Sequence, residues 1–367
     1  MAIYWILVAL VFLASVPIQP HRSKLRTRCY LLTVFIMLLI VSGFRAFSVG
    51  ADTKEYVGIF NNIEDWELMK GRFEIGFLRY TQVLHYISEN AGILLLVSSA
   101  ICIGTACLFT YKFSKNPVLS MMLYILLGEY FSQMNMMRQS IALSLMMISY
   151  MVLLKKDGWR QKLISALLIL LAATFHTIAI VGVIPWILVV LSNSEKKALK
   201  SITASNMLKI TLLISGIAFV IYPIIVAVAA KLLPPYYAGY LEGRWSDSNY
   251  NASLFNTLIQ LSFAIVGVIV FRNKELNKKQ RFAAIMLSPT IFFEVLSMRM
   301  EIWGRLAGMF SIYIYLLWAP EVTAEIQSTK IRRILNTTIV LCSAAYMLIV
   351  LIFRPEWTLV VPYRFGW

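Results

Sequence analysis

Apolar residues run in long blocks along the chain, and polar residues gather in short clusters between them. A helix needs about 20 apolar residues to cross the ~30 Å hydrocarbon core of a bilayer. On that rule the blocks predict about twelve spanning helices, over 2–19, 29–46, 92–111, 117–132, 136–154, 162–176, 178–191, 209–230, 253–271, 282–297, 303–319 and 334–353. The block 162–191 is too long for one span at about 1.5 Å rise per residue, so it predicts two short helices meeting near His176. The segment 74–90 sets Glu74, Arg79 and His85 among Ile75, Phe77, Leu78, Leu84 and Ile87. Such a mixture predicts a helix lying in the membrane interface or re-entering it, not crossing. The expected fold is one all-α polytopic membrane domain over 1–367, with long irregular stretches at 47–91 and 231–252.

Composition agrees with that pattern. Hydrophobic residues make up 59% of the chain and charged ones 14%, with a mean hydropathy of +0.74. Soluble domains are about a quarter charged, so a soluble enzyme, a disordered tail and a coiled coil are excluded. The net charge of +16 would suggest nucleic acid on a soluble protein. Here 22 of the 34 basic residues, and only five of the 18 acidic ones, fall on the loops of one side of the predicted topology. Basic residues collect on cytoplasmic loops, so this side is the cytoplasmic one and no nucleic acid is needed to explain the charge. The first apolar segment has no basic residue before it and a basic cluster after it. It is expected to be a retained helix with its N-terminus outside. The four cysteines, Cys29, Cys102, Cys107 and Cys342, sit in apolar segments without a metal or disulfide spacing.

The opposite face holds three Lys against nine Arg: Arg45, Arg72, Arg79, Arg138, Arg244, Arg299, Arg305, Arg354 and Arg364. Arginine presents a planar fork that grips phosphate through two donors. Its enrichment where positive charge is not needed for orientation predicts an anionic ligand outside, where the long loops also lie.

Several clusters carry candidate chemistry. In the run from Arg45 through Gly50, Asp52 and Thr53 to Tyr56, Gly50 permits an unusual turn and Asp52–Thr53 can cap a helix. Asp52 is equally a candidate general base, or an orienter of a sugar hydroxyl. Asn135, Arg138 and Gln139 stand at i, i+3 and i+4 at the outer end of an apolar span, which predicts one shared helix face. An Arg flanked by two amides inside a membrane is expected to face a cavity; a snorkelling Arg is the simpler alternative. His176 lies at an outer turn, where a lone His is more often a satisfied structural group than a catalyst. Arg299 and Arg305 flank Glu301 at another outer turn; they are candidates for an oxyanion clamp, or for pairing with that carboxylate. Glu294 lies deeper in the preceding span and needs a polar partner. In 234–251, Arg244 and Trp245 stand among tyrosines, which suits sugar stacking or an interfacial aromatic belt. No phosphate-binding loop, nucleophile elbow, zinc-binding helix or dinucleotide fingerprint is present, and no metal or cofactor is expected.

The order Arg45…Gly50-x-Asp52-Thr53-x-x-Tyr56, Glu74-x-Gly76-Phe77, Asn135-x-x-Arg138-Gln139-x-x-Ala142 and Ala173-x-Phe175-His176 resembles the EpsG-like, Wzy-type bacterial polysaccharide polymerases. The likeness is strongest over roughly 45–180; Thr177 stands where the family has a small residue. The resemblance implies a C-type (GT-C) membrane glycosyltransferase in the bacterial cytoplasmic (inner) membrane, acting on its outer face. It implies undecaprenyl-pyrophosphate-linked oligosaccharides as donor and acceptor, with a chain-length regulator as a further partner. The product would be O-antigen, capsule or exopolysaccharide. On that reading Arg138 and Arg305, with Arg299, Arg244 or Arg45, bind pyrophosphate. Asn135, Gln139 and Tyr56 contact substrate, and Asp52 is the base, with Glu74 or His176 as alternatives. A flippase for lipid-linked oligosaccharides would need a polar path through the whole membrane, whereas the polar clusters stay at the outer ends. An O-antigen ligase-type transferase differs in its acceptor.

Overall fold

The computed structural model of the chain describes residues 1–69, 71–192, 203–232, 250–272 and 274–366. Arg244, and with it most of the stretch 231–252, lies outside the described residues. The regular elements of the described chain are all helical, and an isolated β-bridge joins Arg45 and Phe365.

Two compact units are formed, one from 1–183 with 326–367 and one from 184–325. The first holds α1 (Ala2–Ile18), α2 (Lys24–Gly43), α3 (Thr53–Asn61), α4 (Ile75–Ile87), α5 (Gly92–Phe113), α6 (Pro117–Leu126), α7 (Glu129–Asn135), α8 (Met137–Lys155) and α9 (Trp159–Phe175). It then runs into a 3-10 turn, Thr177–Gly182. α10 (Val183–Ser192) starts at the boundary between units. The second unit continues with α11 (Ala204–Val220), α12 (Tyr222–Leu232), α13 (Tyr250–Val270), α14 (Lys278–Ser297) and α15 (Ile302–Tyr313). α15 passes through a π-helical turn, Ile314–Trp318, into α16 (Ala319–Ala324). The last helix, α17 (Thr329–Phe353), belongs to the first unit.

Among the described residues, six helices are long and apolar enough to cross a membrane: α2, α5, α8, α13, the α15–α16 helix and α17. The bent pair α11–α12 would make a seventh. The protein is therefore a polytopic helical membrane protein, but the expectation of twelve spans is not met. Local breaks account for much of the difference. The predicted span 117–132 is cut at Gly128, whose φ of +90° ends one helix and opens α7. The predicted span 209–230 bends by 63° between α11 and α12. α1 and α9, at 17 residues each, fall short of a full crossing length. The predicted short pair around 162–191 is present: α9 ends at Phe175, His176 is extended, and a new turn begins at Thr177.

In the first unit α8 packs on α5 and α9, and α5 on α2. The short helices α3 and α4 lie over this layer. They bury Tyr56, Phe60, Phe77, Leu78 and Leu84 against Leu94, Met137 and Ile141. Each fully buried side chain of this size contributes about 1.5–3 kcal/mol, so α4 is held by its packing despite its 13 residues.

Candidate active site

Four segments of the first unit meet around Glu74. Glu74 precedes α4 with an extended backbone (φ −70°, ψ 141°) and does not cap its own helix. Its carboxylate is thus free to bridge neighbouring segments. Oε1 accepts from Nδ1 of His176 at 2.9 Å and from the Thr177 backbone N–H at 3.1 Å. The Thr177 hydroxyl adds a longer contact at 3.4 Å. Oε2 accepts from the Arg138 guanidinium in the first turn of α8. That guanidinium lies 4.9 Å from the centre of the Phe73 ring. The three charged or polar side chains remain only 16–22% exposed.

Gly76 lets this happen. A Cβ there would stand 2.3 Å from Oγ1, 2.7 Å from O and 2.8 Å from C of Thr174. Without one, the first turn of α4 sits directly on the last turn of α9, and Glu74 comes within reach of His176.

Tyr56, buried on α3, extends the cluster. Its hydroxyl is hydrogen-bonded to Arg138. Burial pushes the Tyr56 phenol up to about 12; Arg138 pulls against that and Asp52 adds to it. Tyr56 therefore stays protonated, a donor at neutral pH. Glu74 is the opposite case. Burial raises its pKa, but the His176 hydrogen bond, the Arg138 charge and the Thr177 N–H override it and hold the carboxyl down at about 2. A carboxylate so acidic is a poor proton acceptor and a good orienter. With Nδ1–H donated to Glu74, the tautomer of His176 leaves Nε2 as the free acceptor. Nε of Arg138 is buried and has no hydrogen-bond partner among the described residues.

The other predicted residues divide. Asp52 is half-buried at the start of α3, does not cap the helix through its side chain, and acts electrostatically on Tyr56. Asn135 does not share a helix with Arg138. α7 ends at Asn135, Met136 breaks the helix (φ −87°, ψ 57°), and α8 begins at Met137. Asn135 instead accepts from the Ala51 N–H at 2.7 Å and donates to the Phe131 carbonyl at 3.3 Å, anchoring the Gly50 turn. Gln139 is on α8 and buried. Arg45 is 1% exposed. Its guanidinium donates to the carbonyls of Ser42, Val49 and Met134. Those bonds make it a builder of the turn. Gly50 (φ +102°) closes that turn; a Cβ there would meet the Met134 carbonyl at 2.8 Å.

Arg299 and Arg305 belong to the second unit. Arg299 is exposed, with its guanidinium 4.1 Å from the Phe219 ring centre. Arg305 is half-buried in the first turn of α15. Glu294 is buried on α14, with the Ser297 hydroxyl at 3.4 Å.

A feature the sequence reading missed is the C-terminal segment 358–366. Thr358 and Leu359 accept from the N–H groups of Ala51 and Gly50, at 3.2 and 2.9 Å. Ala46 N–H donates to Arg364, and Gly366 N–H to Phe44. The Tyr363 hydroxyl donates to Val41 at 2.8 Å.

Fold and site together define a polytopic helical membrane protein that holds a carboxylate, a guanidinium and an imidazole in contact beside a phenol. A model of the EpsG family matches residues 28–365, nearly the whole chain, and the protein belongs to that family. No curated protein and no solved structure matches it significantly.

Proposed function

We propose that this protein is a membrane glycosyltransferase that polymerises pyrophosphate-lipid-linked oligosaccharide repeat units at the outer face of the bacterial cytoplasmic membrane. Family membership supports a role in polysaccharide polymerisation. The single observation that carries the chemistry is the contact of Glu74 with both Arg138 and His176.

The reaction breaks the bond between the anomeric carbon of the growing chain and its lipid pyrophosphate. An acceptor hydroxyl forms the new glycosidic bond, its proton goes to a base, and lipid pyrophosphate leaves. His176 is the base in this account, through Nε2, with Glu74 fixing its tautomer and later stabilising the imidazolium. Among Asp52, Glu74 and His176, this choice follows from the low pKa of Glu74 and its full set of donors. Arg138 and the Tyr56 hydroxyl stabilise charge growing on the departing pyrophosphate. Arg299, Arg305 and Arg244 are proposed as further substrate contacts, and Gln139 as a lining residue. Asp52 tunes Tyr56. No metal takes part in this scheme.

The in vivo test is replacement of the chromosomal gene by His176→Ala or Arg138→Ala. A polymerase so disabled leaves surface glycans of one repeat. Absence of all surface glycan would indicate a flippase, and free lipid-linked polymer a ligase-type transferase.

A further inference from the structure

The Gly50 turn is held from two sides. On one side lies the break between α7 and α8. Asn135 Oδ1 accepts from the Ala51 N–H at 2.7 Å, and the Met134 carbonyl accepts from Thr53 Oγ1 at 3.3 Å and from Arg45 at 3.1 Å. On the other side lies the C-terminal segment, whose Leu359 and Thr358 carbonyls accept from the N–H groups of Gly50 and Ala51. α3 starts at Thr53 and carries Tyr56; α8 starts at Met137 and carries Arg138. Two short stretches, 51–56 and 135–138, are therefore tied at one end by Ala51 to Asn135 and at the other by Tyr56 to Arg138. Close-packed interiors transmit small displacements, so a shift at the first tie is felt at the second.

The C-terminal segment is anchored by two tyrosines. The Tyr4 hydroxyl donates to the Val360 carbonyl and the Tyr363 hydroxyl to the Val41 carbonyl, each at 2.8 Å. The buried Tyr4 ring lies 5.7 Å from that of Tyr363 and 4.9 Å from that of Phe131 on α7, centre to centre. The segment thus braces the turn through Thr358 and Leu359, and α7 through Tyr4. We propose that residues 358–366 are a positioning element of the catalytic cluster, setting the approach of Tyr56 to Arg138 through the Gly50 turn, with Tyr4 and Tyr363 as its anchors. This rests on the functional reading above, which gives Tyr56 and Arg138 their part in the reaction.

The test pairs a structural readout with turnover. Tyr56 is replaced by a fluorotyrosine in the full-length protein in vesicles, and its fluorine NMR signal is recorded. The same is done for Arg138→Ala and for Tyr4→Phe/Tyr363→Phe, which keeps both rings and removes both anchoring hydroxyls. The expected result for the double variant is a signal displaced toward that of Arg138→Ala, with kcat lowered about tenfold and KM unchanged. Tyr363→Phe alone should give a smaller displacement in the same direction. In a Tyr56→Phe background the two anchor substitutions should lower kcat by less than about twofold, because the contact they set is already gone. An unmoved signal overturns the proposal, as does an equal proportional loss of kcat in both backgrounds, the mark of a general loss of folding. A moved signal with normal kcat would retain the positioning role and refute only the part given to Tyr56 and Arg138 in the reaction.

Discussion

Gly76→Ala probes the junction on which the site depends. Ordinary van der Waals contact begins near 3.4 Å, and the new Cβ would meet backbone atoms of Thr174 at 2.7 and 2.8 Å. Backbone cannot rotate away as a side chain can, so α4 must retreat from α9 by about 0.6–0.7 Å, or tilt to the same effect. Applied to the 2.9 Å contact between Glu74 and His176, that retreat lengthens it to about 3.5 Å, at the limit of a hydrogen bond. Overpacking of this kind costs about 1–3 kcal/mol of stability. The larger effect is on catalysis, since a shift approaching 1 Å at a reacting group lowers rate by about 10²-fold. The assay is the initial rate of repeat-unit consumption by purified protein, with thermal melting as the control for folding. Thr174→Ala removes Oγ1 but leaves the backbone carbonyl, so Gly76→Ala/Thr174→Ala should stay as slow as Gly76→Ala. Near-normal turnover by Gly76→Ala would refute the claim that close approach of α4 to α9 builds the site.

Glu74→Gln keeps the shape of the side chain but removes the charge that pairs with Arg138 and orients His176; polymerisation should fall by about 10²–10⁴-fold, read as the rate of ladder growth on a glycan gel. Gly50→Ala forces an L side chain to φ +102° against the Met134 carbonyl; melting should show a loss of about 1–3 kcal/mol. Stability should also follow acid titration of Glu74. Its folded pKa lies below the ordinary carboxylate value, so its stabilising effect is complete above the unfolded value near 4.5 and is lost as pH falls through about 2. Melting temperature should therefore drop across that window in the unsubstituted protein, and less steeply in Glu74→Gln; parallel curves would contradict the assignment.

Much of this arrangement could be read from residue order. The break at His176 followed from a block too long for one helix and too short for two spans. The non-spanning character of 74–90 followed from Glu74, Arg79 and His85 within an apolar run. Other features depend on contacts distant in sequence. That Arg45 binds three backbone carbonyls, while Arg138 reaches a carboxylate, is set by which loop folds over each, and the two arginines look alike in sequence. Asn135 misled because helical spacing assumes an unbroken helix, and Met136 interrupts it. The twelve-span count failed because hydropathy registers apolar length but not the turn at Gly128 or the bend after α11. Among the three candidate bases, only the fold shows that Glu74 shares its carboxylate among Arg138, His176 and Thr177 in four contacts.

The most direct measurement is reconstitution: purified protein in vesicles, supplied with pyrophosphate-lipid-linked repeat units, the product resolved by size. The unsubstituted protein should yield a ladder rising by one repeat per step with release of lipid pyrophosphate, and His176→Ala and Arg138→Ala should leave the single repeat unconsumed. Equal ladders from all three proteins would contradict the role given to the Glu74 cluster.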